Sequence, residues 1–251
     1  GGNVVGKRCF RINSAGAVLS GFTIKRGVIR DFYDGGAGIL LNKGTVTNCV
    51  ITGCESWRNG GGVWLQNGLL VDCLVEANYG TASGGGIGGV HMQGGVMRDC
   101  VVANNLATGN SSGAGVKMTA GLIENTLIAT NTAGSPTATT ADGGGLHMSG
   151  GTTTHSRVIG NIGYGMGGGV YLAGGLLRNC LISGNSGPTA GKGGGGLYMG
   201  AAGARMESCT VAGNSTVSDG KGLYLAGGSV TNSIIYDNNA TPNVHQTGGS
   251  I

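Results

Sequence analysis

The chain has 251 residues, a net charge of +4 and only 10% charged side chains, with 57 glycines and 3 prolines. Glycine at this level without a strict three-residue period excludes collagen, and a hydrophobic share of 39% is too high for a disordered linker. The longest apolar runs are four or five residues, so membrane insertion of this segment is not expected.

The opening, GGNVVGKRCF, reads as mid-protein sequence and not as a targeting signal. Seven of the 15 basic residues (Lys7, Arg8, Arg11, Lys25, Arg26, Arg30, Lys43) lie in the first 43 positions. No nucleic-acid-binding motif accompanies them, so nucleic acid is not an expected partner.

From Phe10 onward the chain repeats. An apolar residue following a glycine run recurs at Phe10, Ile39, Val63, Val90, Val116, Leu146, Val170, Leu197, Leu223 and Val244. Ten residues after most of these comes a small residue: Cys49, Cys73, Cys100, Thr126, Ser156, Cys180 and Ser233, with Cys209 two residues later than the rule because GAAGARM carries an insertion. Five residues further on stand Cys54, Asn78, Asn105, Asn131, Asn161, Asn185, Asn214 and Asn238. Length varies between that position and the next glycine run. Periods of this size signal solenoids or arrays, and a four-stranded propeller blade needs about forty residues.

Inside each unit the apolar period is two, as in a strand: Val170 and Leu172 share a face and Tyr171 points away. Glycine and asparagine punctuate the short runs, as turns require. The pattern predicts an all-β, right-handed parallel β-helix of about nine to ten coils, a single domain over 1–251 with three parallel sheets. At ~4.8 Å per coil, nine coils make a rod of roughly 43 Å. Its inward columns are Val63, Val90, Val116 and Val170; Leu65, Met92, Met118 and Leu172; and Val46, Leu70, Met97, Ile123, Leu177, Met206 and Val230. Asn78, Asn105, Asn131, Asn161, Asn185, Asn214 and Asn238 are expected to stack as an amide ladder. A second ladder is expected at the corner formed by Asn48, Asp72, Asp99, Asn125, Asn179 and Asn232.

Units such as GGVYL…NCLISGN (168–185) resemble right-handed parallel β-helix repeat proteins. They are also similar to the GGA[I/L/V] and FxxN repeats of polymorphic outer-membrane and autotransporter passenger proteins. Asn185 matches the FxxN asparagine, and Ile182 stands where that motif has phenylalanine. The resemblance implies secretion or surface display in a bacterium.

Cys49, Cys73, Cys100, Cys180 and Cys209 share one inward column with Thr126 and Ser156, so small size and not thiol chemistry is the common feature. Parallel neighbours fit disulfide torsions poorly, and no Cys-x-x-Cys suggests zinc. No metal or cofactor is expected. The outward column of the first strands runs Arg11, Leu40, Trp64, His91, Lys117, His147, Tyr171, Tyr198, Tyr224 and His245. From Trp64 to Tyr224 its aromatic and basic side chains, ~4.8 Å apart, could stack on sugar rings or grip an extended polymer. The competing reading is that aromatics simply stabilise cross-strand neighbours. His91 and His147, two coils apart, are too far from one another to share a metal.

Catalytic signatures are sparse. Glu124 beside Arg98 and Glu207 beside Arg178 read as surface pairs, and Asp142 and Asp219 as lone loop acids. Ser186–Gly193 lacks the first glycine and final hydroxyl residue of a phosphate loop. The leading expectation is a non-catalytic extracellular or cell-surface shaft for adhesion or structure, with an extracellular polysaccharide or a neighbouring cell surface as partner. Alternatives are a fragment of a pectate-lyase-like polysaccharide lyase or hydrolase, and a self-assembling fibre subunit. The last unit, from Asn243, runs in register with Gly222–Gly228 and stops at Ile251 in mid-coil. A capless end of this kind predicts a segment of a longer protein, or rods that associate end to end.

Overall fold

Three-residue strands separated by glycine or left-handed corner residues cannot pair with their immediate neighbours in sequence. They pair instead with the equivalent strand one repeat away. The computed structural model, which describes residues 6–31, 34–81, 85–138, 140–239 and 242–251, has this arrangement throughout. It is an all-β parallel solenoid. The first sheet has ten strands, from Phe10–Ile12 to Val244–Gln246, and the second nine, from Val18–Ser20 to Ser229–Thr231. The third also has nine, from Thr23–Lys25 to Ile234–Tyr236.

A fourth sheet of eight strands, from Val28–Ile29 to Ser215–Thr216, corrects the expected three. Its strands are two residues long and follow directly on the asparagine position, as Leu106–Ala107 follows Asn105. Two residues are too few to show alternation, so the sequence pattern merges them with the variable loop. Among the described residues, eight coils carry a strand in every sheet, below the nine to ten expected.

The register is unbroken. Val170 pairs with Leu197, Tyr171 with Tyr198 and Leu172 with Met199, and the same offset holds in each coil of that sheet. One continuous core results, with Val63, Leu65, Leu70, Met97, Met118, Leu177 and Met206 all fully buried. Thr153 interrupts the second sheet's apolar column between Ile123 and Leu177. It stays inside because its hydroxyl reaches Met118 Sδ (3.8 Å) and Met148 Sδ (3.7 Å).

The glycine runs have a packing cause. A Cβ on Gly145 would stand 2.7 Å from Asn161 Nδ2, so the backbone entering the first sheet lies directly against the amide ladder. The corner before the cysteine column is left-handed in every described coil: φ is 52° at Asn48 and Asp72, 54° at Asp99 and 53° at Asn179. His155 (48°) and Ser208 (52°) complete this column, which is therefore wider than the Asn and Asp corner expected. Its common property is backbone conformation, which Asn and Asp tolerate best among residues with a Cβ. Side-chain bonds here join single pairs of neighbouring coils, Asn125 Nδ2 to Asp99 Oδ1 (2.5 Å) and Asn179 Nδ2 to His155 Nε2 (3.1 Å), so among the described residues the expected second ladder is not continuous.

Candidate functional site

The middle residue of each first-sheet strand forms the column expected from sequence, from Arg11 to His245, in continuous register. Its aromatic rings stack on one another. Ring centroids are 4.9 Å apart for His147 and Tyr171, 5.4 Å for Tyr171 and Tyr198, and 5.1 Å for Tyr198 and Tyr224. Tyr171 and Tyr198 are inclined by only 3°. Trp64 and His91 form a separate stack at 6.2 Å and 4°, and Trp64 Nε1–H donates to Gln93 Oε1 (3.0 Å).

This geometry changes what the column can do. Ring faces point along the rod, toward the next ring, and are covered by it. The expectation that the tyrosines stack on sugar rings therefore does not fit; what the column can offer a ligand is ring edges and the phenolic hydroxyl, which both donates and accepts.

The column is also less exposed than its alternation implies. Leu40 and His91 are buried, at 4% and 6% exposure, and Trp64, Lys117, His147, Tyr171, Tyr198 and Tyr224 are half-buried. The segments that lead into each first-sheet strand crowd the flank of this face. A Cβ on Gly193 would lie 2.2 Å from Tyr224 Cδ2, so the chain passes against the ring. These segments vary in length and carry no period, which is why the cover is invisible in the sequence.

Burial sets the electrostatics. Desolvation, then the charge of Lys117, lowers both His91 and His147 to a pKa of about 4, so both are neutral at pH 7. Burial and then Arg58 pull Lys117 down. Burial, with Asp142 and a neighbouring tyrosine adding to it, pushes Tyr171 and Tyr198 up. Asp142 is not a lone loop acid: its Oδ1 accepts the Met166 N–H (2.7 Å). Asp219 Oδ2 stands 3.8 Å from His245 Nδ1. Arg178 pairs with Glu207 as expected (2.7 Å), whereas Arg98 turns to Asp99 (3.4 Å) and not to Glu124.

The ladder residues are internal. Asn131 Oδ1 accepts the Asn105 backbone N–H (3.0 Å) and Nδ2–H (2.9 Å), and Asn131 Nδ2 donates onward to Asn161 Oδ1 and back to Val102 O. Equivalent bonds link Asn78, Asn161, Asn185, Asn214 and Asn238, and the run ends on Asn243 Oδ1.

The cysteine column shares more than size. Cys49, Cys73, Cys100, Cys180 and Cys209 each donate S–H to the carbonyl two residues back, at 3.1 to 3.3 Å. Thr126, Ser156 and Ser233 make the same bond through oxygen at 2.8 to 2.9 Å. A short side-chain donor is what the column selects, and the interchange of Cys with Ser and Thr was the available signal. The neighbouring thiol and then burial push Cys100 and Cys180 up, so they stay protonated.

No protein-family model, curated protein or solved structure matches this chain. The site must be read from its own chemistry. Among the described residues no three His, Cys, Asp or Glu side chains converge on a point that could hold a metal ion.

Proposed function

We propose that this chain is a rigid, non-catalytic shaft that works at a bacterial cell surface or outside the cell and binds an extended polysaccharide along the Tyr171–Tyr198–Tyr224 ladder. The observation that carries the reading is the ring repeat of 5.4 and 5.1 Å. It is close to the rise per sugar of an extended β-linked pyranose chain, so a polymer lying along the rod would meet one tyrosine edge per sugar. The support for surface display is the likeness of the repeats to passenger-protein repeats. The support for a mechanical role is the unbroken register across the coils.

The test separates hydroxyl contacts from ring stacking. Replacing Tyr171, Tyr198 and Tyr224 together by Phe keeps the stack and removes three donors. Affinity electrophoresis in gels containing soluble β-linked glucan or chitin-type polymers should retard the wild type and not the triple Phe variant. Equal retardation of both would sink the reading.

A further inference from the structure

Lys117 lies between two stacks, Trp64–His91 on one side and His147–Tyr171–Tyr198–Tyr224 on the other, and pairs in register with His91 and His147. Lys117 is half-buried, and its ammonium has no hydrogen bond or ion pair among the described residues. The charged neighbour that acts on it, Arg58, has the same sign. Asp142, further along this face, is held by the Met166 N–H and interacts with Lys192. His91 is 6% exposed, and the Nδ1 atoms of both His91 and His147 are buried with no partner.

Each of these is costly alone. A desolvated cation needs a counter-charge, and a buried ring nitrogen needs a partner. They occur together on three consecutive strands. We propose that Lys117, held between His91 and His147, is the centre of an oxyanion-binding site that takes a carboxylate, phosphate or sulfate group. Such a group accepts from the ammonium and from a ring N–H of either imidazole, and it supplies the counter-charge that Lys117 lacks among the described residues. A metal cation could reach only one of the two imidazoles and would be repelled by Lys117. Water would satisfy the nitrogens and leave the charge.

The inference stands apart from the polymer reading, because an inorganic anion suffices to test it. The chain has 4 histidines, so their ring C–H resonances form a small, assignable set. Sodium sulfate, sodium phosphate and sodium acetate are each titrated at constant ionic strength and fixed pH into the wild type, Lys117→Met and, as a charge-matched control, Lys192→Met. Saturable shifts of His91 and His147, with His155 and His245 unmoved, are expected for at least one anion. The arm that saturates at lowest concentration tells a tetrahedral from a planar ligand. Lys117→Met keeps the apolar stem, and its affinity should fall about tenfold or more, the loss of one charge-assisted bond. Lys192→Met should match the wild type. Imidazoles that do not move with any anion in the wild type would overturn the site, a result that needs no folded variant. So would shifts of equal affinity in wild type and Lys117→Met.

Discussion

Asn161 Oδ1 accepts two hydrogen bonds from Asn131, one from its backbone N–H and one from its side-chain amide, both at 2.9 Å. Asn161 then repeats the pattern toward Asn185. Every donor and acceptor of these buried amides is used, which is the condition under which polar groups can line an interior.

Asn161→Ala removes an acceptor serving two donors and leaves the Asn131 N–H buried and unpaired. The cost is about 1–3 kcal/mol for each orphaned group. Asn161→Asp keeps the acceptor but loses the Nδ2 donor to Ile128 O and brings a carboxylate into the core, so it should be worse. Urea unfolding followed by circular dichroism ranks the two variants against the wild type.

The cysteine column predicts a chemical pattern. Cys100→Ser should cost little, because Ser156 already makes the same bond to a carbonyl two residues back. Cys100→Val removes the S–H bond to Arg98 O, which keeps only the Asp72 N–H, and should cost about 1 kcal/mol. Of the seven free thiols Cys9 alone is exposed, so a thiol reagent should titrate one group in the native chain and the rest only on unfolding.

Acid should weaken the fold through His91 and His147. Both sit at a pKa of about 4 in the folded chain, against about 6.5 when unfolded. Between these values the unfolded chain binds more protons. The stability these groups contribute is therefore intact above about pH 6.5 and is lost as pH falls toward 4. Unfolding free energies measured from pH 7 to pH 4 should fall with a slope that His91→Phe reduces. A slope unchanged by that variant would assign the acid sensitivity elsewhere.

The left-handed corner gives a backbone prediction. Asn179 has φ of 53° on an exposed corner, so Asn179→Gly should be tolerated and Asn179→Val should cost roughly 1–2 kcal/mol. The same pair of changes at Asn185 should both destabilise, since that residue is a ladder rung. Thermal unfolding of the four variants distinguishes a conformational column from a hydrogen-bonded one.

Much of this was legible in the sequence, for a reason that Tyr171 and Cys180 illustrate. In a solenoid each residue meets the same position of the next repeat, so spacing alone names its neighbours. Tyr171 beside Tyr198 and Cys180 beside Cys209 follow from counting. What stays hidden is whatever lacks a period. The two-residue fourth strands, such as Tyr79–Gly80, are too short to show alternation. The segments that crowd this face, such as the one carrying Gly193, differ from coil to coil. Ring orientation is set by stacking between strands and not by composition, so the loss of the tyrosine faces as a sugar platform could be seen only in three dimensions.

The unbroken register has a mechanical consequence. Parallel pairing places the interstrand hydrogen bonds of all four sheets along the rod, so a pull on its two ends loads them head-on, one coil interface at a time. Asn78 and Asn105 mark one interface and are 27 residues apart in the chain. Each coil that lets go therefore pays out roughly 90 Å of slack at about 3.4 Å per residue. Under tension the rod is a series of near-equal fuses, each of which adds about twice the rod's own length while the coils beyond it stay wound.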